Sequence, residues 1–201
     1  MLGQESEFLA GIANFISSVV IENDDDVRVK TNKDMSMTTE SKEKLFKEPG
    51  YSRNKQEDNK DVVGAWFTHF WGKTCNLQIV DEIAASDMLL KYSLHKPRRG
   101  HTDIKAFMTE FRNAFPDLNF WGTADLIAEG DYVVGQWEGG GTHTGPAFSD
   151  FLMGSLPANS GRKMRFTGTT VLRLKDKKIV EEIGLDDGVT ALTQLGLLIK
   201  A

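Results

Sequence analysis

A single cysteine, Cys75, stands among 201 residues, so no disulfide can form within the chain. The thiol is expected to serve as a small buried apolar group in a reducing compartment, the cytoplasm. No apolar run approaches the ~20 residues that span a bilayer. The nearest candidate, residues 8–21 (FLAGIANFISSVVI), is too short and follows Glu5 and Glu7 instead of a positive start. It is expected to form an amphipathic or docking helix, not an export signal. Basic charge in excess is also missing: 24 Lys and Arg face 29 Asp and Glu, a net charge of −5. That excludes a general nucleic-acid binder, which needs a basic face to neutralise phosphate. The four histidines form no HxH or HExxH pair, and GxSxG, GxGxxG and GxxxxGK[ST] are all absent. Metal ligation, a nucleophile elbow and a phosphate cradle therefore lack sequence support.

What the chain does have is enough apolar residue for a core, 40 % hydrophobic against 26 % charged, the balance of a soluble globular domain. Residues 22–60 are dense in Asp, Glu, Lys, Asn and Ser, and such a segment buries too little surface to offset its ordering entropy. Residues 1–60 are thus expected to be an extension, an apolar helix over 8–21 and then a weakly ordered linker. Residues 61–201 are expected to be the folded domain.

Within that domain, Val63, Trp66, Phe67 and Phe70 fall at i, i+3, i+4 and i+7, the stripe of a core-facing helix. A short helix is expected over 77–84 and a short strand over 88–94. Another helix begins near Thr102 and Asp103, with Ile104, Phe107, Met108, Phe111 and Phe115 on one face, and ends at Pro116. The period then changes to that of strands. A hairpin is expected across Glu129-Gly130-Asp131, a long strand over 163–175, a last strand over 178–185 and a helix over 189–199. Helices, then a strand-rich meander, then a helix is an α+β order.

Two stretches invite a chemical reading. In EEIGLDDG, residues 181–188, strict alternation places Ile179, Ile183 and Leu185 on the inner face and carries Asp187 with them. A carboxylate at the end of an apolar face has its pKa raised by desolvation and suits reversible proton transfer. The alternative needs no chemistry: Asp186 or Asp187 caps the helix that follows. In GGGTHTGP, residues 139–146, His143 either bonds a substrate carbonyl or is held by neighbouring hydroxyls. The aromatic residues Trp66, Trp71, Trp121, Trp137, Phe148 and Phe166 either line a cavity or fill an ordinary core.

The stretches RGHTDIKAFMTEFRNAFPDL, DLIAEGDYVVGQWEGGGTHTG, MRFTGTTVLRLKDKKIVEE and DGVTALTQLG, in that order, resemble the SnoaL-like polyketide (ester) cyclase family. The likeness runs from about residue 61 to the C-terminus. It implies a cone-shaped α+β barrel, a strongly curved, mostly antiparallel sheet wrapped around helices and a central pocket. It also implies intramolecular aldol-type ring closure without metal or organic cofactor, with a polyketide-like or other enolisable carbonyl compound as substrate. On this resemblance Asp187 falls on the family's acid/base aspartate and His143 on the histidine of its GTHTG motif. The expected pocket wall comprises Trp66, Phe67, Tyr92, His95, Trp121, Trp137, Phe148, Phe166 and Ile183, the last where the family commonly has Trp. DKK at 176–178 replaces the usual DGK, and the passage after residue 148 is longer than usual. Isomerisation, dehydration, epoxide opening and hydroxylation on the same scaffold stay open. So does a non-catalytic binding or assembly module, and self-association into a dimer or tetramer is expected in each case.

Overall fold

A computed structural model describes residues 53–198. The apolar segment 8–21 and most of the polar linker lie outside the described residues. No helix among the described residues is long and apolar enough to cross a membrane.

The first helix among the described residues, α1 (Arg53–Trp66), starts inside the stretch expected to be linker. Asn59 explains part of that: it is buried, and its side-chain amide donates to the Gly130 carbonyl at 3.1 Å. The expected stripe holds, since Val63, Trp66 and Phe70 are fully buried. The chain then widens into one π-helical turn, Phe67–Trp71, closed by Gly72 N–H to Phe67 O at 2.8 Å. Carbonyls at such a helix end need outside donors. Arg112 supplies them, bonding Phe70 O, Trp71 O and Gly72 O at 3.2, 3.1 and 2.7 Å.

A short helix α2 (Gln78–Ile83) leads into β1 (Ala84–Lys91), which starts earlier than its sequence pattern suggests. The two-residue β2 (Arg98–Arg99) opens α3 (Gly100–Ala114), whose face Ile104, Phe107, Met108 and Phe111 is buried as expected. The meander follows: β3 (Asn119–Gly122), β4 (Ile127–Glu129), β5 (Tyr132–Thr142), β6 (Lys163–Lys175) and β7 (Lys178–Asp186). The final helix α4 spans Gly188–Gln194.

The strands form one curved sheet that does not close, in the order β2-β1-β7-β6-β5-β3, with β4 also paired to β5. Every pairing is antiparallel except β1 with β7. The Gly139–Gly141 run belongs to this curvature. A side chain on Gly139 or Gly140 would collide with the backbone of Asn119 or Met164, so the glycines let neighbouring strands close in. At the β6–β7 turn Asp176 and Lys177 both take positive φ, 50° and 60°, the geometry of a two-residue type I′ hairpin. The DKK sequence therefore keeps the tight turn.

Strict alternation fails in β7. Arg173 pairs with Glu181 but Leu174 pairs with Ile179, which leaves Val180 as an extra residue. A β-bulge of this kind reverses which side chains point inward beyond it. Ile179 is buried before the bulge; Glu182 and Gly184 are buried after it, while Leu185 is 75 % exposed. The inward placement of Ile183, Leu185 and Asp187 expected from parity is therefore corrected. Ile183 now pairs with Val171, Val171 with Val134, and Val134 with Ile127, an apolar row across the outer face.

The bulge buries a carboxylate completely. Glu182 is 0 % exposed and accepts from Trp66 Nε1 at 2.7 Å, Trp71 Nε1 at 2.9 Å and the Tyr92 hydroxyl at 2.6 Å. Tyr92 O is also 2.9 Å from Thr170 Oγ1, which accepts from Trp137 Nε1 at 2.8 Å. Burial pushes the Glu182 carboxyl up to about 7, against the downward pull of the Tyr92, Trp71 and Trp66 hydrogen bonds.

Two outcomes follow from this packing. A methyl group on Gly184 would overlap the Tyr92 ring, so Gly184→Ala should lower stability by about 1–3 kcal/mol, read by urea denaturation. Glu182 holds its proton more tightly folded than unfolded, so its contribution to stability is full below pH 4.5 and lost as pH rises through about 7. At ~1.4 kcal/mol per unit, the shift from 4.5 to about 7 amounts to about 3 kcal/mol. Denaturation at pH 4.5 and pH 8 should show that loss in the wild type and its absence in Glu182→Gln. Parallel pH profiles would refute the assignment.

Candidate active site

The sheet's inner face and the helices enclose an apolar cavity. Phe67 and Trp71 reach it from the π-turn, Tyr92, Leu94 and His95 from the passage after β1, and Phe111 from α3. Phe120, Trp137 and Phe166 close it from β3, β5 and β6, and Asp186 enters from the end of β7. The space open to the centre of a water molecule is about 30 Å³, enough for a few waters at ~10–15 Å³ each. Asp186 and Trp137 also border an open groove on the other side of the strands, lined by Gln136, Thr167, Thr169 and Asp187.

Of the expected wall, the structure brings together Phe67, Tyr92, His95, Trp137 and Phe166. Trp66 lies behind it, fully buried and bonded to Glu182. Trp121 is 39 % exposed on β3, with the Arg165 guanidinium 5.2 Å from its ring. Phe148 packs away from the cavity, between Phe111 at 5.5 Å and Phe151 at 5.0 Å. The bulge turns Ile183 to the outer face, opposite Val171.

The two aspartates exchange the places that parity predicts. Asp187 is the N-cap of α4: its Oδ1 accepts from Thr190 N–H at 3.1 Å, and that bond holds its carboxyl below the usual range. Its backbone N–H bonds Thr167 O at 2.9 Å, which fixes the turn. Asp186 instead lies on the inner row two residues beyond Gly184 and faces the cavity. Burial raises its pKa, while a hydrogen bond from Ser93 and the charge of His95 pull the other way. The Ser93 hydroxyl donates to Asp186 Oδ1, so one carboxylate edge is fixed in place.

His143 is 0 % exposed and does not reach the cavity. Its Nε2 lies 2.8 Å from Pro146 O, which can only accept, so Nε2 carries a proton. Nδ1 lies 2.9 Å from Ser160 Oγ and accepts from Ser160 N–H at 3.4 Å. Both ring nitrogens are thus occupied in pinning the glycine-rich strand end to the 146–162 passage.

Two causes account for the residues that sequence patterning missed. Asp186 and Glu182 face inward only because of the bulge, which no alternation rule reveals. Leu94, Phe111 and Phe120 belong to elements that were recognised, but nothing in their spacing distinguishes a cavity wall from ordinary core.

Comparison with known proteins completes the picture. No curated protein matches the chain at the level of sequence. Among solved structures, a protein of Jannaschia sp. CCS1 named as a SnoaL-like polyketide cyclase superposes with a TM-score of 0.59 at 21 % identity, covering 72 % of this chain and 95 % of that one. IdmH of Streptomyces antibioticus, named as a polyketide cyclase, gives 0.52 at 25 % identity over 69 % and 98 %. A phenazine biosynthesis-related protein of Pseudomonas aeruginosa gives 0.59 at 12 % identity over 75 % and 88 %. The sequence model of the SnoaL-like polyketide cyclase family matches residues 61–195, and the chain belongs to that family.

Proposed function

We propose that this protein is a cofactor-independent acid/base enzyme that closes a ring in a polyketide-like carbonyl compound by intramolecular aldol addition, with Asp186 as its proton-transfer residue. The observation that carries this reading is the Asp186 carboxylate, held by Ser93 at the edge of an aromatic cavity. Desolvation makes it a stronger base than an exposed aspartate, and its ordinary fate in such a site is to take and return a proton. A carbon flanked by carbonyls gives its proton to Asp186, and the enolate carbon attacks a second carbonyl of the same molecule. A carbon–carbon bond forms, the carbonyl π pair becomes an alkoxide, and the alkoxide takes a proton. Holding both ends together lowers the barrier by up to ~7–11 kcal/mol in ideal cases. Isomerisation, dehydration, epoxide opening and hydroxylation would use the same carboxylate, and the substrate alone separates them.

One observation favours a second reading. A cavity of about 30 Å³ is small for a multi-ring guest, as expected of a ligand-binding or assembly module on the same scaffold. Ring closure requires side chains of the wall to move aside.

Self-association and a cytoplasmic location also belong to this proposal. The exposed side chains of Leu185, Val171 and Ile127 on one sheet face support the first, and the lone thiol the second. Sedimentation at micromolar concentration should show a species larger than one chain; a monomer would refute self-association.

The catalytic reading is tested with linear β-dicarbonyl esters that carry a second internal carbonyl, following the isobaric cyclic product by chromatography and NMR. Asp186→Asn should lower kcat by about 10²–10⁴-fold. Asp187→Asn should stay within about twofold, because Asn caps a helix as well as Asp. The reverse ranking would transfer the role to Asp187. A wild type that turns over nothing yet retains a bound small molecule would favour the binding module.

A further inference from the structure

The oxygen that develops charge in such a reaction needs a donor, and the nearest candidates are engaged. Trp137 Nε1–H is bonded to Thr170 and the Tyr92 hydroxyl to Glu182. His95 is not so engaged. Its ring lines the same cavity as Asp186, packed against Phe107 at 5.0 Å, Phe111 at 5.1 Å and Phe151 at 5.2 Å. Nδ1 is 3.1 Å from Asp150 Oδ2, while Nε2 has no hydrogen-bond partner among the described residues. Asp150 is itself clamped: its Oδ1 accepts from Arg98 Nη2, and Arg98 also reaches Asp103 Oδ1 at 3.5 Å. An arginine cannot accept, so the carboxylate of Asp150 remains the acceptor for His95 Nδ1–H. The aromatic packing and this bond together fix the ring plane and leave Nε2 as the working atom.

We propose that His95 is a second proton-transfer residue of this site, lining the same cavity as Asp186 and held in its tautomer by Asp150 as a positioning residue. The proposal rests on the reading of Asp186 as the group that takes the carbon proton. Asp186 as carboxylate and His95 as imidazolium begin the cycle with one mobile proton between them. The carbon proton passes to Asp186, the new carbon–carbon bond forms, and His95 Nε2–H gives its proton to the alkoxide. Asp186 then returns one proton to Nε2, directly or through a water in the cavity, so no proton is gained or lost over the cycle. Burial works against the charged form of Asp150, but hydrogen bonds from His95 and Arg98 outweigh it and hold its carboxyl below the usual range. An anionic Asp150 accepts from His95 Nδ1–H and orients the ring, as the buried carboxylate of a catalytic triad does.

The first test needs no substrate. Nitrogen-15 NMR of histidine side chains, with His95 assigned through the signals missing in His95→Gln, should show the neutral ring protonated at Nδ1. Asp150→Asn should shift it toward the Nε2–H form. A wild-type ring protonated at Nε2 would overturn the proposal, and if Asp150→Asn does not fold, that measurement decides alone. The second test uses the ring-closure assay: His95→Gln should lower kcat by about 10²–10⁴-fold, and Asp150→Asn should lower kcat with KM within about twofold. A His95→Gln enzyme with wild-type kcat, beside an inactive Asp186→Asn, would refute the role of His95 while leaving Asp186 in place. Loss of neither activity would instead remove the reading of Asp186 on which the proposal rests.

Discussion

A carboxylate without water must find all its partners in protein, and Glu182 does so by drawing four parts of the chain to one point. Trp66 comes from α1, Trp71 from the π-turn, Tyr92 from the passage after β1, and the acid itself from β7. Removing any one donor leaves a buried acceptor short of a bond, a loss of about 1–3 kcal/mol or more for a charged group. That penalty fixes the register of helix against sheet more strictly than apolar packing, which tolerates sliding. Tyr92 bonds Glu182 directly, and Trp137 joins the pair through Thr170, so the same network sets the position of two cavity walls.

The helices and long strands were legible because their periodicities are strong. The α3 stripe and the inward set Met164, Phe166, Thr170, Leu172 and Leu174 on β6 reflect spacing alone. The site was legible only in outline. A pair of aspartates before a helix announces one cap and one spare acid, yet which is which turns on one bulged residue. His95 and Asp150 are brought together by an isolated bridge between His95 and Phe151, a contact over a sequence distance that local patterning does not sense. His143 shows the converse: a histidine inside a recognisable motif, whose two nitrogens are both occupied by its own loop.

Family membership and chemistry rest on different features. The curved sheet and its helices form the shared scaffold, and scaffolds of this kind carry many activities. The cavity of this chain is narrow, with indole and phenyl rings on nearly every side. Aromatic walls favour flat, conjugated guests over bulky saturated ones. Polar atoms enter at few points, and most are already engaged with one another.

The extra residue at Val180 reaches further than the interior. By reversing the pleat it sends Glu182 and Asp186 in and, by the same geometry, Ile183 and Leu185 out. The inward acids and the outward apolar row are therefore two readings of one strand register, and neither can drift alone. A chain that straightened this strand would hide its greasy row and strand its acids in solvent in a single step.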